Sequence, residues 1–444
     1  MPSFLIRNAK IVDSGKSIYS DLLVKDSLIE KIDPSISGIL YKVTEINAEG
    51  KMLLPGIIDV HVHFREPGLT HKADIFSESK AAVTGGVTSF IEMPNTEPKT
   101  TTAELLKQKF ELASQKSFAN YSFYMGATNS NFHELEKGLK QGSPGVKIFM
   151  GSSTGNMLVD NEDTLNRIFN QFQGIVVVHA ESENVINDNL FRVKKFYGEN
   201  IPFKVHSEIR SSKACFESSR FAVELANKHN TRLHLAHLSS KEEIALLNNK
   251  PIKSKKITSE VCVHHLYFDD KDYDQYKGFI KCNPSIKSKE DKDALLQALN
   301  NGYIDLISTD HAPHTFEEKN NPYLSCPSGI PLIQHALLAM LEFVKSGKMT
   351  LEQVVQKMCH HPALAFNIKN RGFIKEGYKA DCILIDLNSP TEVTNDSILY
   401  KCAWSPFEGK TFSSSITHSF VNGNLVWENG RITNLIAGEK LLFQ

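Results

Sequence analysis

Short runs of apolar, often β-branched residues recur along the chain between residues 55 and 365. Continuous apolar runs of this length predict strands that are buried on both faces, as in a parallel sheet. Segments with helical periodicity separate the runs, so the pattern predicts strand–helix units with right-handed crossovers. Eight runs carry the pattern, at residues 56–63, 86–93, 121–127, 145–150, 174–180, 231–238, 256–266 and 303–310.

The segments between the runs have the spacing of amphipathic helices. In residues 102–116, Leu106, Phe110 and Ala113 recur at intervals of three and four positions. The same spacing occurs in residues 212–229 and 289–302. Eight strands that alternate with helices predict an α/β fold, specifically a (β/α)8 TIM-like barrel.

The two ends of the chain have a different texture. Their short strands alternate apolar and polar positions and are joined by polar turns. The sequence VNGN at 421–424, between two apolar runs, is a strong hairpin signal. We therefore predict a composite β-sandwich domain built from residues 1–54 and 366–444, and a metal-dependent catalytic barrel from residues 55–365.

Composition and charge restrict the functional classes. The 50 basic and 51 acidic residues nearly cancel, which argues against a nucleic-acid footprint or a polybasic membrane surface. The seven cysteines are isolated and form no CxxC pair, which favours a reduced cytosolic protein over a disulfide scaffold. Because the sequence has neither a signal-peptide pattern nor an apolar run of about 18 residues, we expect a cytoplasmic protein without a membrane partner.

Side chains that can bind a metal stand where five of the predicted strands end. Because the carboxyl ends of barrel strands meet at one face, we expect these side chains to lie close together. An imidazole that follows an apolar strand needs a hydrogen bond or a metal to offset a desolvation cost of about 1–3 kcal/mol. The six candidates are His61, His63, Lys147, His179, His237 and Asp310.

Each candidate taken alone has a simpler explanation. His179 or His237 is more often a hydrogen-bonded core histidine, and Asp310 is suited to capping the next helix. Lys147 would ordinarily extend to solvent or pair with a carboxylate, and an ammonium beside two divalent ions would be repelled. Reaction of Lys147 with CO2 would replace that charge with an anionic carbamate, whose two oxygens could bridge two metals. It is their common position at strand ends that favours a metal centre.

Five segments, PGIIDVHVHFREPG (55–68), VKIFM (146–150), VVVHAE (176–181), LAHLSS (235–240) and STDHAPHT (308–315), resemble the amidohydrolase superfamily. Within it they are most similar to the dihydroorotases. The resemblance extends over essentially the whole chain. RGFIKEGYKADCILID (371–386) is similar to the segment that leads from the barrel back into the β-sandwich domain in that superfamily.

The resemblance implies a site with two Zn2+ per chain. His61, His63 and Asp310 would hold the first ion, His179 and His237 the second, and a CO2-derived carbamate on Lys147 would bridge them. Further residues match the family's substrate contacts: Arg65, Asn95, Asn283 and His314. A guanidinium fork at Arg65 suits a substrate carboxylate, although a surface salt bridge is the alternative for this residue.

The implied activity is the zinc-dependent, reversible hydrolysis of the cyclic amide of L-dihydroorotate to N-carbamoyl-L-aspartate, in the de novo biosynthesis of pyrimidines. Asp310 would be the catalytic acid and base. Family habit also suggests a homodimer. Two alternatives stay open: another cyclic amidase, of the allantoinase or hydantoinase kind, and a metal-free relative that acts as a scaffold. All six metal-binding positions are filled, which argues against the scaffold.

Overall fold

A computed structural model describes residues 3–150, 157–159, 161–433 and 435–444. Its central feature is a ring of parallel strands, which confirms the predicted barrel. Strand β14 leads back to the first barrel strand, where the backbone N–H of His63 donates to the carbonyl of His311 at 2.7 Å. The strands of the ring are β6 (Ile57–Val62), β7 (Val87–Glu92), β8 (Asn120–Phe123), β9 (Met125–Gly126), β10 (Gly145–Phe149), β11 (Ile175–His179), β12 (Leu233–Leu235), β13 (Ile257–Cys262) and β14 (Leu306–Ser308). β8 and its short continuation β9 together fill the third position.

Helices alternate with these strands, and the three helices predicted from spacing are present. Helix α2 begins after Thr102, whose hydroxyl accepts the backbone N–H of Leu105 at 3.3 Å, as expected of an N-cap. The helices are α1 (Ile75–Thr84), α2 (Ala103–Lys116), α3 (Phe132–Lys140), α4 (Glu162–Gln171), α5 (Glu183–Tyr197), α6 (His206–Ile209), α7 (Ser212–His229), α8 (Val263–Tyr267), α9 (Tyr273–Tyr276), α10 (Lys289–Asn300), α11 (Phe316–Lys319), α12 (Ala336–Lys345), α13 (Leu351–Val355) and α14 (His361–Ala365).

The seventh barrel strand is shorter than the sequence predicted. The apolar run 256–266 indicated a strand through Leu266, whereas β13 ends at Cys262 and α8 follows. Cys262 lies opposite Ser308, the last residue of β14, so the chain beyond it has no neighbouring ladder to join. The helix then satisfies its own backbone hydrogen bonds.

Both ends of the chain contribute to one mostly antiparallel sheet, as predicted. Its strands are β1 (Phe4–Asp13), β2 (Lys16–Lys25), β3 (Leu28–Asp33), β4 (Thr44–Asn47), β5 (Met52–Pro55), β15 (Cys382–Asp386), β18 (Ser415–Val421), β19 (Asn424–Glu428) and β20 (Arg431–Ile432), while β16 (Thr391–Glu392) and β17 (Thr411–Phe412) form a separate pair. β5 pairs with β15, so residues 330 positions apart join the two halves. The VNGN hairpin is present, with Asn422 and Gly423 at φ of 49° and 73°. That the domains divide at 55 and 366 stays a prediction.

Candidate metal centre and substrate pocket

The carboxyl ends of the barrel strands surround a cavity of about 210 Å³. Its walls include every side chain that was predicted for the site from the sequence. Segments as distant as residues 61 and 314 therefore meet at one place, as a barrel requires. The ten side chains are His61, His63, Arg65, Asn95, Lys147, His179, His237, Asn283, Asp310 and His314.

The first barrel strand presents two histidines to the aspartate that follows the last strand. Nε2 of His61 and Nε2 of His63 lie 3.2 and 3.0 Å from Oδ1 of Asp310. Burial lowers the pKa of His63 to about 4, so this imidazole is neutral at pH 7. Burial alone would raise the pKa of Asp310, but His61 and His63 hold it well below its usual range, and the carboxylate is ionised.

The other ring nitrogens fix which face of each imidazole meets the aspartate. Nδ1 of His61 donates to Oε1 of Glu260, and Nδ1 of His63 donates to Oδ1 of Asn95 at 2.7 Å. With the hydrogen on Nδ1, each ring directs the lone pair of Nε2 towards Asp310. Lone pairs and a carboxylate repel one another unless a cation lies between them. The three groups, whose ligand atoms lie within 4.8 Å of one another, thus fit a metal ion.

The fifth and sixth barrel strands bring a second pair of imidazoles together. Nε2 of His179 donates to Oε2 of Glu181 at 2.9 Å, which directs its Nδ1 lone pair at Nε2 of His237, 2.9 Å away. Burial lowers the pKa of both rings, that of His237 furthest. Two imidazole nitrogens at this distance must have either a proton or a cation between them. The pair lies beside the first group, since the ring centroids of His61 and His237 are 5.2 Å apart.

The amine of Lys147 is buried in the wall of this cavity. Its side chain is 1% exposed, and within the described part of the chain Nζ has no hydrogen-bond partner. Burial lowers the pKa of Lys147 to about 8, which makes the neutral amine, the form that reacts with CO2, accessible near neutral pH. A buried ammonium without a counter-ion is costly. The surroundings therefore fit a lysine that has been converted into an anionic ligand.

The wall of the cavity also carries a buried guanidinium. Nε of Arg65 donates to the carbonyl of Pro313 at 3.1 Å, and Nη2 lies 3.1 Å from Nε2 of His314. Burial lowers the pKa of Arg65 to about 10, so it stays cationic at pH 7. Asn283 is held by the hydroxyl of Ser328, which donates to its Oδ1 at 3.0 Å. These side chains can thus bind an anionic group in the same cavity as the candidate metal ligands.

Three residues of the site have left-handed backbone conformations, which non-glycine residues seldom adopt. Arg65, His237 and Asp310 have φ of 67°, 39° and 45°. Such conformations cost free energy, and they persist where the surrounding structure imposes them, often at functional sites. In each case the chain leaves a strand and turns its side chain into the cavity.

Comparison with known proteins identifies the family. The amidohydrolase family model matches residues 52–426. The chain belongs to the amidohydrolase family. Curated relatives include a dihydroorotase of Methanosarcina acetivorans, 30% identical over 96% of this chain and 92% of its own length. A dihydroorotase of Lactobacillus delbrueckii subsp. bulgaricus is 31% identical over 96% of this chain and 99% of its own length.

Solved structures of other amidohydrolases share the fold. L-hydantoinase from Arthrobacter aurescens has a TM-score of 0.94 and 27% identity, over 100% of both chains. Dihydropyrimidinase from Brevibacillus agri has a TM-score of 0.90 and 24% identity, over 99% of this chain and 98% of that one. This amidohydrolase is a hydrolase of cyclic amides, its family is generally metal-dependent, and its substrate is a small molecule. No helix in the described ranges is long and apolar enough to cross a membrane.

Two glutamates that hydrogen-bond to the candidate metal ligands were missed from the sequence. Glu260 accepts from Nδ1 of His61, from Nε2 of His234 at 3.2 Å and from the backbone N–H of His237 at 3.2 Å. Glu181 supports His179. A signal existed for Glu260, because an acidic residue inside the apolar run of a buried strand needs a partner. Which histidine it would meet, 199 positions away, was not readable.

The second group with metal-ligand spacing in the described ranges contains residues that the sequence left without a role. Cys262, His264 and His265 are buried, with ligand atoms within 4.8 Å of one another. Nε2 of His265 donates to the carbonyl of Pro284 at 3.0 Å. Cys262 ends β13 and the two histidines lie in α8, and none of the three lines the catalytic cavity.

Replacing Glu260 with glutamine should weaken metal binding without unfolding the barrel. The amide keeps the shape but loses the charge that holds His61 and the chain at His237. We expect Zn2+ affinity to fall about 10–100-fold, as for other residues that orient metal ligands. Competitive titration against a zinc-binding dye measures this. The control is Glu243→Gln, another buried glutamate, which caps Ser240 and touches no metal ligand. Equal zinc affinity in Glu260→Gln and wild type would contradict the assignment.

Proposed function

We propose that this amidohydrolase is a dihydroorotase, which reversibly hydrolyses the ring amide of L-dihydroorotate to N-carbamoyl-L-aspartate in pyrimidine biosynthesis. The observation that carries the proposal is the buried Arg65 guanidinium in the wall of the same cavity as the histidine and aspartate cluster. A substrate with a carboxylate next to its cyclic amide fits this cavity, because the guanidinium can bind the carboxylate while the amide lies at the candidate metal ligands. The dihydroorotase names of relatives at 30 and 31% identity support it.

The metal site is proposed as a pair of Zn2+ ions. His61, His63 and Asp310 would hold one ion, His179 and His237 would hold the other, and Lys147, carboxylated by CO2, would be a further anionic ligand. The ions supply a Lewis acid for the amide carbonyl and lower the pKa of water to about 7, so that a nucleophile exists at neutral pH. Three of the four imidazoles carry a hydrogen-bond acceptor behind them, which keeps the ligand nitrogens directed inwards.

Proton transfer is assigned to Asp310. Its ionised carboxylate accepts the proton of the attacking water and returns it to the amide nitrogen as the ring opens. In the reverse direction the same carboxylate first takes the proton from the carbamoyl nitrogen. Arg65, with Asn95, Asn283 and His314, holds the substrate by its carboxylate and ring, so that the scissile carbonyl faces the metal ligands.

A hydantoinase activity is the alternative closest in structure, because the hydantoinase fold is so similar. Fold alone does not choose between activities that share a scaffold. With a ring that lacks a carboxylate, the buried Arg65 guanidinium would gain no directly paired anion from the substrate, at a cost in free energy. The charge of this wall therefore favours dihydroorotate.

Replacing Arg65 with methionine tests the substrate. Methionine fills similar volume but removes the guanidinium, so kcat/KM for dihydroorotate should fall about 100-fold or more, mainly through KM. The loss of ultraviolet absorbance on ring opening measures the rate. Hydantoin and dihydrouracil, which lack the carboxylate, are the matched control substrates, and their slower turnover should change by less than about threefold.

Two results would remove the proposal. The first is faster turnover of hydantoin than of dihydroorotate by wild-type enzyme that contains about two zinc ions per chain by elemental analysis. The other is unchanged kcat/KM for dihydroorotate in Arg65→Met. Zinc content measured on the same preparations separates a wrong substrate from an unloaded site.

A further inference from the structure

A groove crosses the floor of the barrel, at the end of the strands away from the metal centre. It consists of two adjoining hollows of about 620 and 550 Å³ that share Arg232, Asn367 and Gln444. Arg232 directly precedes β12, and Ile175, which also lines the groove, begins β11. Each hollow is in the range of about 300–1,000 Å³ that is usual for small-molecule sites. We call it the floor groove.

The lining of the floor groove is basic. No aspartate or glutamate occurs among the lining residues of either hollow. Two cations of the lining are neutralised from outside it, since Lys255 pairs with Asp305 at 2.7 Å and Arg371 pairs with Asp381. Within the described ranges, six others have no carboxylate within 4 Å: Lys140, Arg232, Lys253, Lys256, Lys369 and Lys440. In a chain with a formal charge of -1, this is a local concentration of uncompensated positive charge.

Arg232 lies at the centre of the floor groove and is half-buried. Nη2 donates to the carbonyl of Ala365 at 2.7 Å, which anchors one arm of the guanidinium. Burial lowers the pKa of Arg232, so the surroundings disfavour its charge. A guanidinium anchored in this way presents its other donors in a fixed plane, the geometry that phosphate oxygens match. Lys253 and Lys256, both exposed, flank it.

One end of the floor groove is aromatic. Phe373 and Tyr378 line it, with ring centroids 6.2 Å apart, and His360 stacks on Phe373 at 4.4 Å. Half-buried rings beside a basic channel provide an apolar surface for a planar group. Charge alone would suit any anion, whereas cations and aromatic rings together suit a phosphorylated molecule that carries a ring.

We propose that the floor groove binds a nucleotide, with its phosphates at Arg232, Lys253 and Lys256 and its base against Phe373 and Tyr378. This site is separate from the catalytic cavity and does not depend on the activity proposed above. Both faces of the barrel then bind anions: the carboxyl end takes the substrate, and the floor takes a phosphorylated ligand.

Isothermal titration of the full-length protein with UDP, ADP and inorganic pyrophosphate tests the site. We expect saturable binding of both nucleotides. Arg232→Gln should weaken it at least about tenfold, because a charge-assisted phosphate contact is lost. The double variant Lys253→Gln with Lys256→Gln should weaken it similarly, and since both lysines are exposed it retains the fold even if Arg232→Gln does not.

Two variants control for charge and for the catalytic cavity. Arg431→Gln removes an exposed arginine from β20, outside the floor groove, and Arg65→Met removes the guanidinium of the catalytic cavity. Both should change nucleotide affinity by less than about twofold. Four results would overturn the proposal: no saturable binding to wild type, equal weakening by Arg431→Gln, loss of binding in Arg65→Met, or pyrophosphate binding as tightly as the nucleotides.

Discussion

Lys147→Ala should lose nearly all dihydroorotate turnover and most of its bound metal. The residue is 1% exposed and lines the cavity together with both histidine groups, where Asp310 is the one carboxylate among the described lining residues. We expect zinc content to fall from about two ions per chain to one or fewer, and kcat/KM to fall about 10⁴-fold or more. Elemental analysis and the ultraviolet assay measure both.

Chemical rescue makes this result specific for an anionic ligand. Alanine leaves a void, so acetate or propionate at about 0.1 M should restore part of the metal content and of the activity, by supplying carboxylate oxygens. Lys147→Met fills the same space with an uncharged side chain and should not be rescued. Full metal content and turnover in Lys147→Met would show that the lysine contributes no ligand.

Asp310→Asn should have the second largest effect, on turnover more than on binding. The amide oxygen can still ligate a metal, but it does not accept a proton at neutral pH. General acid–base catalysis contributes about 10²–10⁴-fold, so we expect kcat to fall by that factor while KM and zinc content change by less than about fivefold. Initial rates of ring opening and ring closure measure this, and kcat/KM must fall equally in both directions because the equilibrium is unchanged.

A second buried carboxylate provides the control for Asp310. Asp59 accepts from the hydroxyl of Thr309 at 2.6 Å and does not line the catalytic cavity. Asp59→Asn should therefore lower thermal stability and reduce kcat by less than about tenfold. If Asp310→Asn lost no more activity than Asp59→Asn, the aspartate would be a structural element of the strand end and not the proton carrier.

The sequence was sufficient for the architecture because the information is local. A long apolar run predicts a buried strand whatever its partners are. Seven of the eight barrel strands lie within the predicted runs, and β8 begins one residue before its run, at Asn120. The apolar run 256–266 shows the limit of such reasoning, because it predicted a strand that was too long. β13 ended at Cys262 because its neighbour β14 ended at Ser308, and the length of a strand depends on a partner that a sequence window does not include.

The types of candidate metal ligand were likewise readable from the sequence. Several imidazoles, a carboxylate and a lysine at the ends of different strands together favour a metal site, although each of them alone has a simpler explanation. The sequence did not reveal which nitrogen of each imidazole faces the centre. Glu260, Asn95 and Glu181 determine this orientation, because each accepts a hydrogen bond from the ring nitrogen that faces away from the centre. Two of these hydrogen bonds connect different strands.

By itself, then, the sequence determined the barrel, the sheet formed by both ends of the chain, and the residues that reach the carboxyl face. Only the tertiary structure decided how those residues are oriented, that the Lys147 amine has no hydrogen-bond partner among the described residues, and that cations from distant parts of the chain line one groove on the floor. The reason is physical. Periodicity and side-chain chemistry are properties of a segment, whereas hydrogen-bond partners, burial and local charge depend on segments that become neighbours when the barrel closes.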